Sequence, residues 1–249
     1  MHSTTRFPLV ALALALVFTA CKKDDPEPPA TPGGGGGSST PSTAPFFSDA
    51  DGLVSAIRVL TTQSTPIGPV DLVLGIATGV FSNDAFATFQ NVGAVSCNGE
   101  ALTRQSNNNY TYQPSATNPT GIDLTASNEV TWNVGGGSGF AAFDRTIPGP
   151  FPVAGSISSA TTVVRANGYT ITTGSVLNAD SVVFTLGSLV RTIPGNATSC
   201  TFTAAELSGL STGSSLVQVA PYNSTSEVIG GKRIYFVKQY SRSLSVTIQ

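Results

Sequence analysis

The sequence predicts an all-β protein: two packed antiparallel β-sandwich modules that follow an export segment and a disordered linker. Three observations predict it. Short apolar runs recur at the roughly 8 to 12-residue spacing of sandwich strands. The 26 glycines and 16 prolines, with abundant Thr, Ser and Val, favour turns and short strands over helices. No stretch sustains a 3.6-residue apolar period.

The first element is an address. His2 and Arg6 precede an apolar run from Leu9 to Phe18, and the small residues Thr19 and Ala20 precede Cys21. A charged start, a short apolar stretch and a small-residue cleavage site describe a signal peptide, here residues 1–20. The run is too short for the roughly 20 residues of a spanning helix. Phe18-Thr19-Ala20-Cys21 resembles the lipobox of bacterial lipoproteins, although Phe18 stands where Leu is usual. The resemblance implies a multiply acylated Cys21 as the new N-terminus and a membrane partner through its lipid; the plainer alternative is secretory cleavage beside a chance cysteine. Lys22-Lys23-Asp24-Asp25-Pro26-Glu27 is similar to the charged export signal of Bacteroidetes-type surface lipoproteins. That implies an outer-membrane protein displayed on the cell surface, with the periplasmic face as the alternative.

The second element, residues 21–47, is a tether. It is rich in Pro, runs through Gly33 to Gly37 and continues in Ser, Thr and Pro to Pro45. Such a segment buries too little apolar surface to offset ordering entropy, and its typical reach is roughly 25 to 30 Å.

The third element, a module over residues 48–148, opens on the turn chemistry of Ser48 to Gly52. Strands are expected at Leu53 to Leu60, Val70 to Ile76, Val92 to Cys97, Ala101 to Arg104, Asn109 to Gln113 and Glu129 to Val134. Asn98-Gly99 is the strongest short hairpin signal and joins two of them. Strict alternation puts Val130, Trp132 and Val134 on one face, which reads Trp132 as a core residue.

The fourth element, a module over residues 149–249, has expected strands at Thr161 to Ala166, Tyr169 to Thr173, Ser181 to Leu186 and Leu189 to Ile193. Others follow at Ser199 to Thr203, Leu216 to Pro221, Lys232 to Tyr240 and Leu244 to Ile248. The stretch Ala205 to Gly213, with Leu207 and Leu210, followed by Ser215 to Ala220, resembles the leucine-containing bend before a late strand in fibronectin type III and immunoglobulin-like modules. The resemblance implies a β-sandwich and no particular function. Cys97, Trp132 and Cys200 are spaced too widely for one immunoglobulin domain. Pro148 to Pro152 marks either the module boundary or a bend inside one large sandwich. Arg-Thr-Ile-Pro-Gly occurs at Arg145 to Gly149 and at Arg191 to Gly195; unlike flanks favour repeated strand-exit chemistry over duplication.

Composition excludes several functions. The net charge of -2 offers no basic surface for nucleic acid. The one histidine, His2, lies in the export segment, which removes imidazole-based nucleophilic triads and imidazole-bound catalytic zinc from the mature chain. No cofactor, metal or catalytic residue is assigned. Carboxylates are the remaining catalytic groups, and Asp123 with Glu129, or Asp49 with Asp51, are candidate pairs for a glycan hydrolase. Asp49 and Asp51 also suit a calcium loop whose other ligands are missing, or an Asx turn. Cys97 and Cys200 can form one disulfide or remain two buried thiols. Asn107, Asn108, Asn109, Tyr110 and Tyr112 combine amides with flat aromatic faces, which suits contact with a glycan or protein; the alternative is an ordinary loop entering a strand. The sequence therefore points to a non-enzymatic binding, adhesion or scaffolding lipoprotein, with a carboxylate hydrolase and a structural envelope component as alternatives.

Overall fold

The computed structural model describes residues 47–65 and 68–249. The signal peptide, Cys21 and nearly all of the linker lie outside the described residues. What is described is all-β.

The chain opens with a hairpin of two long strands, β1 (Gly52–Thr65) and β2 (Gly68–Phe81). Short strands follow: β3 (Val95–Cys97), β4 (Glu100–Ala101), β5 (Thr103–Arg104), β6 (Tyr110–Tyr112), β7 (Val130–Val134), β8 (Phe143–Ile147) and β9 (Val153–Ala154). The second half holds β10 (Thr162–Val163), a 3-10 turn (Arg165–Asn167), β11 (Tyr169–Thr172), β12 (Val176–Leu177), β13 (Ser181–Leu186), β14 (Leu189–Pro194) and β15 (Ser199–Phe202). A single helical turn, α1 (Ala204–Leu207), leads to the final hairpin of β16 (Gly213–Ile229) and β17 (Lys232–Ile248).

The Asn98-Gly99 turn and the two strand exits behave as the sequence predicts. Asn98 and Gly99 both take positive φ, 49° and 84°, as a tight hairpin turn between β3 and β4 requires. Thr203 caps α1 through a reciprocal capping box with Glu206, and Leu207 and Leu210 are buried. Both Arg-Thr-Ile-Pro-Gly copies end a strand, β8 or β14, at a glycine of positive φ. Both place their arginine on a glutamate, Arg145 on Glu227 and Arg191 on Glu206.

The principal sheet has nine strands. Its order is β14-β13-β16-β17-β1-β2-β6-β5, with β10 beside the end of β17. The sheet is not purely antiparallel as expected: β1 and β10 both pair with β17 in parallel. The parallel join arises because the first strand docks beside the last, a long-range pairing that no turn signal announces.

Two buried clusters sit on this sheet. The first gathers Val54, Ala77, Phe81, Ile234 and Phe236 under the four-stranded sheet β4-β3-β7-β8, which presents Val130, Trp132 and Val134. The second gathers Val182, Phe184, Val217, Val246 and Ile248 under the β11-β15 and β9-β12 pairs, with Ile171, Phe202 and Leu207. Strand alternation places Ile234, Phe236, Val246 and Ile248 on one face of β17, so one hairpin face serves both cores. Apart from that hairpin and Phe151, the first cluster draws on residues up to Ile147 and the second on residues from Ala154 onward. Ile229, Ile234 and Phe236, however, belong to the first core although they fall in the second half of the chain. All described residues fall in one contact unit.

Pro221 lies inside β16, where a missing N–H would ordinarily end a strand. The β16–β17 register runs from Val219↔Arg242 to Tyr222↔Gln239 and passes over Ala220 and Pro221. Because β13 still pairs with them on the other edge, the strand continues.

Trp132 is 1 % exposed at the centre of the first core. Replacing it with Ala should cost about 3–5 kcal/mol, with most of the secondary structure kept. Urea denaturation followed by far-UV circular dichroism checks this, and a loss below about 1 kcal/mol would contradict the packing described.

Candidate functional site

The strongest convergence of polar chemistry lies between the two cores, where residues 148–150 cross from one to the other. Lys238 and Asn223 are direct cross-strand partners on the face that carries both cores. Lys238 is 3 % exposed, and its ammonium donates to the carbonyls of Asn128, Pro148 and Gly149 at 2.7, 2.9 and 2.7 Å. The Asn223 side-chain amide donates to the carbonyls of Pro150 and Asn178 at 3.0 and 2.9 Å. Arg58, next to this pair on β1, lies 3.8 Å over the Phe151 ring and donates to the carbonyls of Leu124 and Ser127.

Burial pushes the Lys238 ammonium down to about 8; the nearby Arg58 adds to that and Glu129 opposes it. Near neutral pH the group is still charged, and carbonyl oxygens take the place of its water shell. With its three N–H groups occupied, it has none left for a substrate. This constellation is a clasp. It is also what sequence reasoning missed, although a lone lysine alternating with Ile234, Phe236 and Tyr240 was a visible signal.

Beside it lies a groove of about 310 Å³ on β2, bordered by Val73, Thr120, Asp123 and Leu124. Residues 120–122 are laid against β2 by bonds from Gly75 N–H to the Thr120 carbonyl and from Ile122 N–H to the Gly75 carbonyl. Only glycine permits this approach: a Cβ on Gly75 would stand 1.8 Å from the Ile122 carbonyl oxygen.

Three of the four candidate carboxylates are engaged in structure. Asp123 accepts from the backbone N–H and hydroxyl of Thr125 and from Ala126 N–H; these bonds hold it below the usual range. Glu129 is exposed. Asp49 accepts from the Tyr235 hydroxyl at 2.8 Å and pairs with Arg233 at 2.9 Å. Asp51 accepts from Lys232 at 3.0 Å and from Arg233 N–H at 2.8 Å. Burial raises its carboxyl, but those contacts outweigh burial and the net shift is downward. Asp51 and Asp123 are thus both held as anions, the opposite of the raised carboxyl that a glycosidic general acid requires.

The amide and tyrosine segment builds a turn. Tyr110 is 1 % exposed, and its hydroxyl accepts from Val92 N–H and donates to Asn91. The half-buried Tyr112 accepts from the Asn118 amide. Asn108, at φ 63°, accepts from Arg104 and donates to the Phe89 carbonyl. Asn107 accepts from Asn109 N–H, and the side-chain oxygen of Asn109 is buried without a partner. Tyr110, Tyr112 and Asn108 thus spend their polar groups on holding the turn.

The disulfide allowed between Cys97 and Cys200 is not formed. Both thiols are free and buried, Cys97 in the first core and Cys200 in the second, so each packs as a small apolar group. Burial pushes the Cys97 thiol up to about 12 and raises Cys200 as well, which keeps both protonated and unreactive.

Comparison with models of known protein families, with curated proteins and with solved structures finds no match.

Two predictions follow from these contacts. Lys238→Met keeps the volume and takes the donor from three part-buried carbonyls, at up to about 1–3 kcal/mol each, against partial relief from no longer burying a charge. A net loss of about 2–4 kcal/mol in urea denaturation is expected; wild-type stability would mean that water replaces the ammonium. The second concerns acid. Asp51, Asp84, Asp123, Glu206 and Glu227 all titrate below their ordinary values of 3.8 or 4.5, with Asp84 held at about 2 by Ser82 and Thr88. Each folded pKa lies below the unfolded one. The stabilisation is therefore complete above the unfolded values and is lost as pH falls through the folded ones. Melting temperature should hold from about pH 7 to about 5 and fall modestly from about 4 towards 2, since solvent screens these exposed groups.

Proposed function

We propose that this chain is an exported lipoprotein anchored through Cys21 to the outer membrane, displayed at the cell surface as a non-enzymatic binding or scaffolding module. Two features of the sequence support the address: the apolar run ending in Phe18-Thr19-Ala20-Cys21, and the Lys22 to Glu27 charge run after it. The finer architecture belongs to the same reading. The two cores correspond to two sandwich modules of the immunoglobulin or fibronectin type III kind, fused through their shared last hairpin.

One observation favours a binding or scaffolding body over a hydrolase. In the candidate pairs the acids that make contacts are taken up by structural partners: Asp51 by Lys232 and Arg233, Asp49 by Tyr235 and Arg233, and Asp123 by Thr125 and Ala126. An exported module with its ionisable groups engaged in this way acts by presenting surface. The partner class is a glycan or a protein, since the net charge of -2 disfavours nucleic acid.

Protease treatment of intact cells tests the address, with a periplasmic marker as leakage control. Loss of the protein while the marker survives is expected, and a Cys21→Ser variant should leave the membrane fraction. Full protection of a protein that is cleaved after lysis would overturn surface display and favour an inward-facing envelope component. Membrane retention of Cys21→Ser would overturn the lipid anchor.

A further inference from the structure

The chain contains two Asn-Gly dipeptides, Asn98-Gly99 and Asn167-Gly168. In this dipeptide the backbone nitrogen after the asparagine is the least obstructed, because glycine has no Cβ. The fold treats the two differently. Both ends of the Asn98 amide are tied: its nitrogen donates to the Asp123 carbonyl at 3.2 Å and its oxygen accepts from Thr131 N–H at 2.8 Å. Asn167 ends the 3-10 turn after β10; it is exposed, and its side chain makes no hydrogen bond among the described residues. The Gly168 N–H beside it makes a long bond, 3.3 Å, to the Arg165 carbonyl.

We propose that Asn167 is a site of spontaneous deamidation and that the fold protects Asn98. The Gly168 backbone nitrogen gives its proton to solvent and attacks Cγ of Asn167. The N–Cγ bond forms, the Cγ–Nδ2 bond breaks, and the amide nitrogen leaves as ammonia with a proton from water, closing a succinimide ring. Water then opens the ring at either carbonyl, giving aspartate or isoaspartate. The balance is one asparagine and one water for one acid and one ammonia, with no redox change. The product adds a carboxylate two residues from Arg165, whose guanidinium holds the carbonyls of Leu210 and Gln249. The isoaspartate form also lengthens the backbone where β10 turns into β11.

Asn98 must break two hydrogen bonds before its Cγ can move, which corresponds to roughly thirtyfold in rate. The test incubates the folded full chain in mildly alkaline buffer made with isotope-labelled water and maps the label by peptide mass spectrometry. A parallel sample in strong denaturant measures both sites without the fold. Comparable rates at the two sites in denaturant, with Asn167 roughly thirtyfold faster than Asn98 in the folded chain, are expected. Equal rates in the folded chain, faster reaction at Asn98, or no reaction at Asn167 while the denatured sample reacts would each overturn the proposal.

Discussion

The ammonium of Lys238 and the carbonyls around it hold the place where the two cores meet. Residues 148–150 run along the surface, yet their carbonyls turn onto the side chains beneath them, where a partly buried acceptor needs a donor. Residues 148–150 include two prolines, so the crossing has few N–H groups but keeps all its carbonyls. Donors are what it lacks. Lys238 and Asn223, facing each other across the last hairpin, supply them, and together they engage all three carbonyls of the crossing. A hydrophobic residue at either position would extend the core while leaving the crossing unsatisfied.

That clasp works because β16 and β17 are long and stay in register past the crossing. Each spans 17 residues, and their alternation carries one apolar face from the first core, through a polar band, to the second. The interruption at Pro221 falls near this band, so its missing hydrogen bonds coincide with the stretch where packing changes hands. A hairpin shared by both cores also ties their stabilities together. Losing Ile234 or Phe236 from the first core would loosen the strands that carry Val246 and Ile248 in the second.

Much of this fold was legible. Asn98-Gly99 marked its hairpin, alternation placed Val130, Trp132 and Val134 inward, and Ser181 to Leu186 was read at its observed limits. These features depend on neighbours a few residues apart. What escaped depends on distant partners. Thr225, Ser226 and Ser243 fall outside the expected strands, yet they lie within β16 and β17, where paired neighbours satisfy the backbone whatever the side chain. Parallel docking of β1 on β17 has no local signal. At the candidate site, the amides of Asn107 to Asn109 were visible as a cluster, but whether they faced a ligand or closed a turn depended on Phe89 and Arg104, which sequence cannot place. Cys97 and Cys200 looked alike along the chain and proved to belong to different cores.

The scarcity of charge explains how its members are used. Only 10 % of residues are charged, and the ion pairs stand at joints between elements. Arg145 with Glu227 fastens β8 to β16, Arg191 with Glu206 fastens β14 to α1, and Lys232 with Asp51 fastens the start of β17 to the entry of β1. Partly exposed pairs of this kind contribute only about 0–1 kcal/mol each, so they do not hold the fold against unfolding. Their effect is on which edges meet. In a body rich in Ser- and Thr-bearing strands, where many polar registers have similar energy, a few placed charges penalise the wrong ones by leaving an ion without its partner.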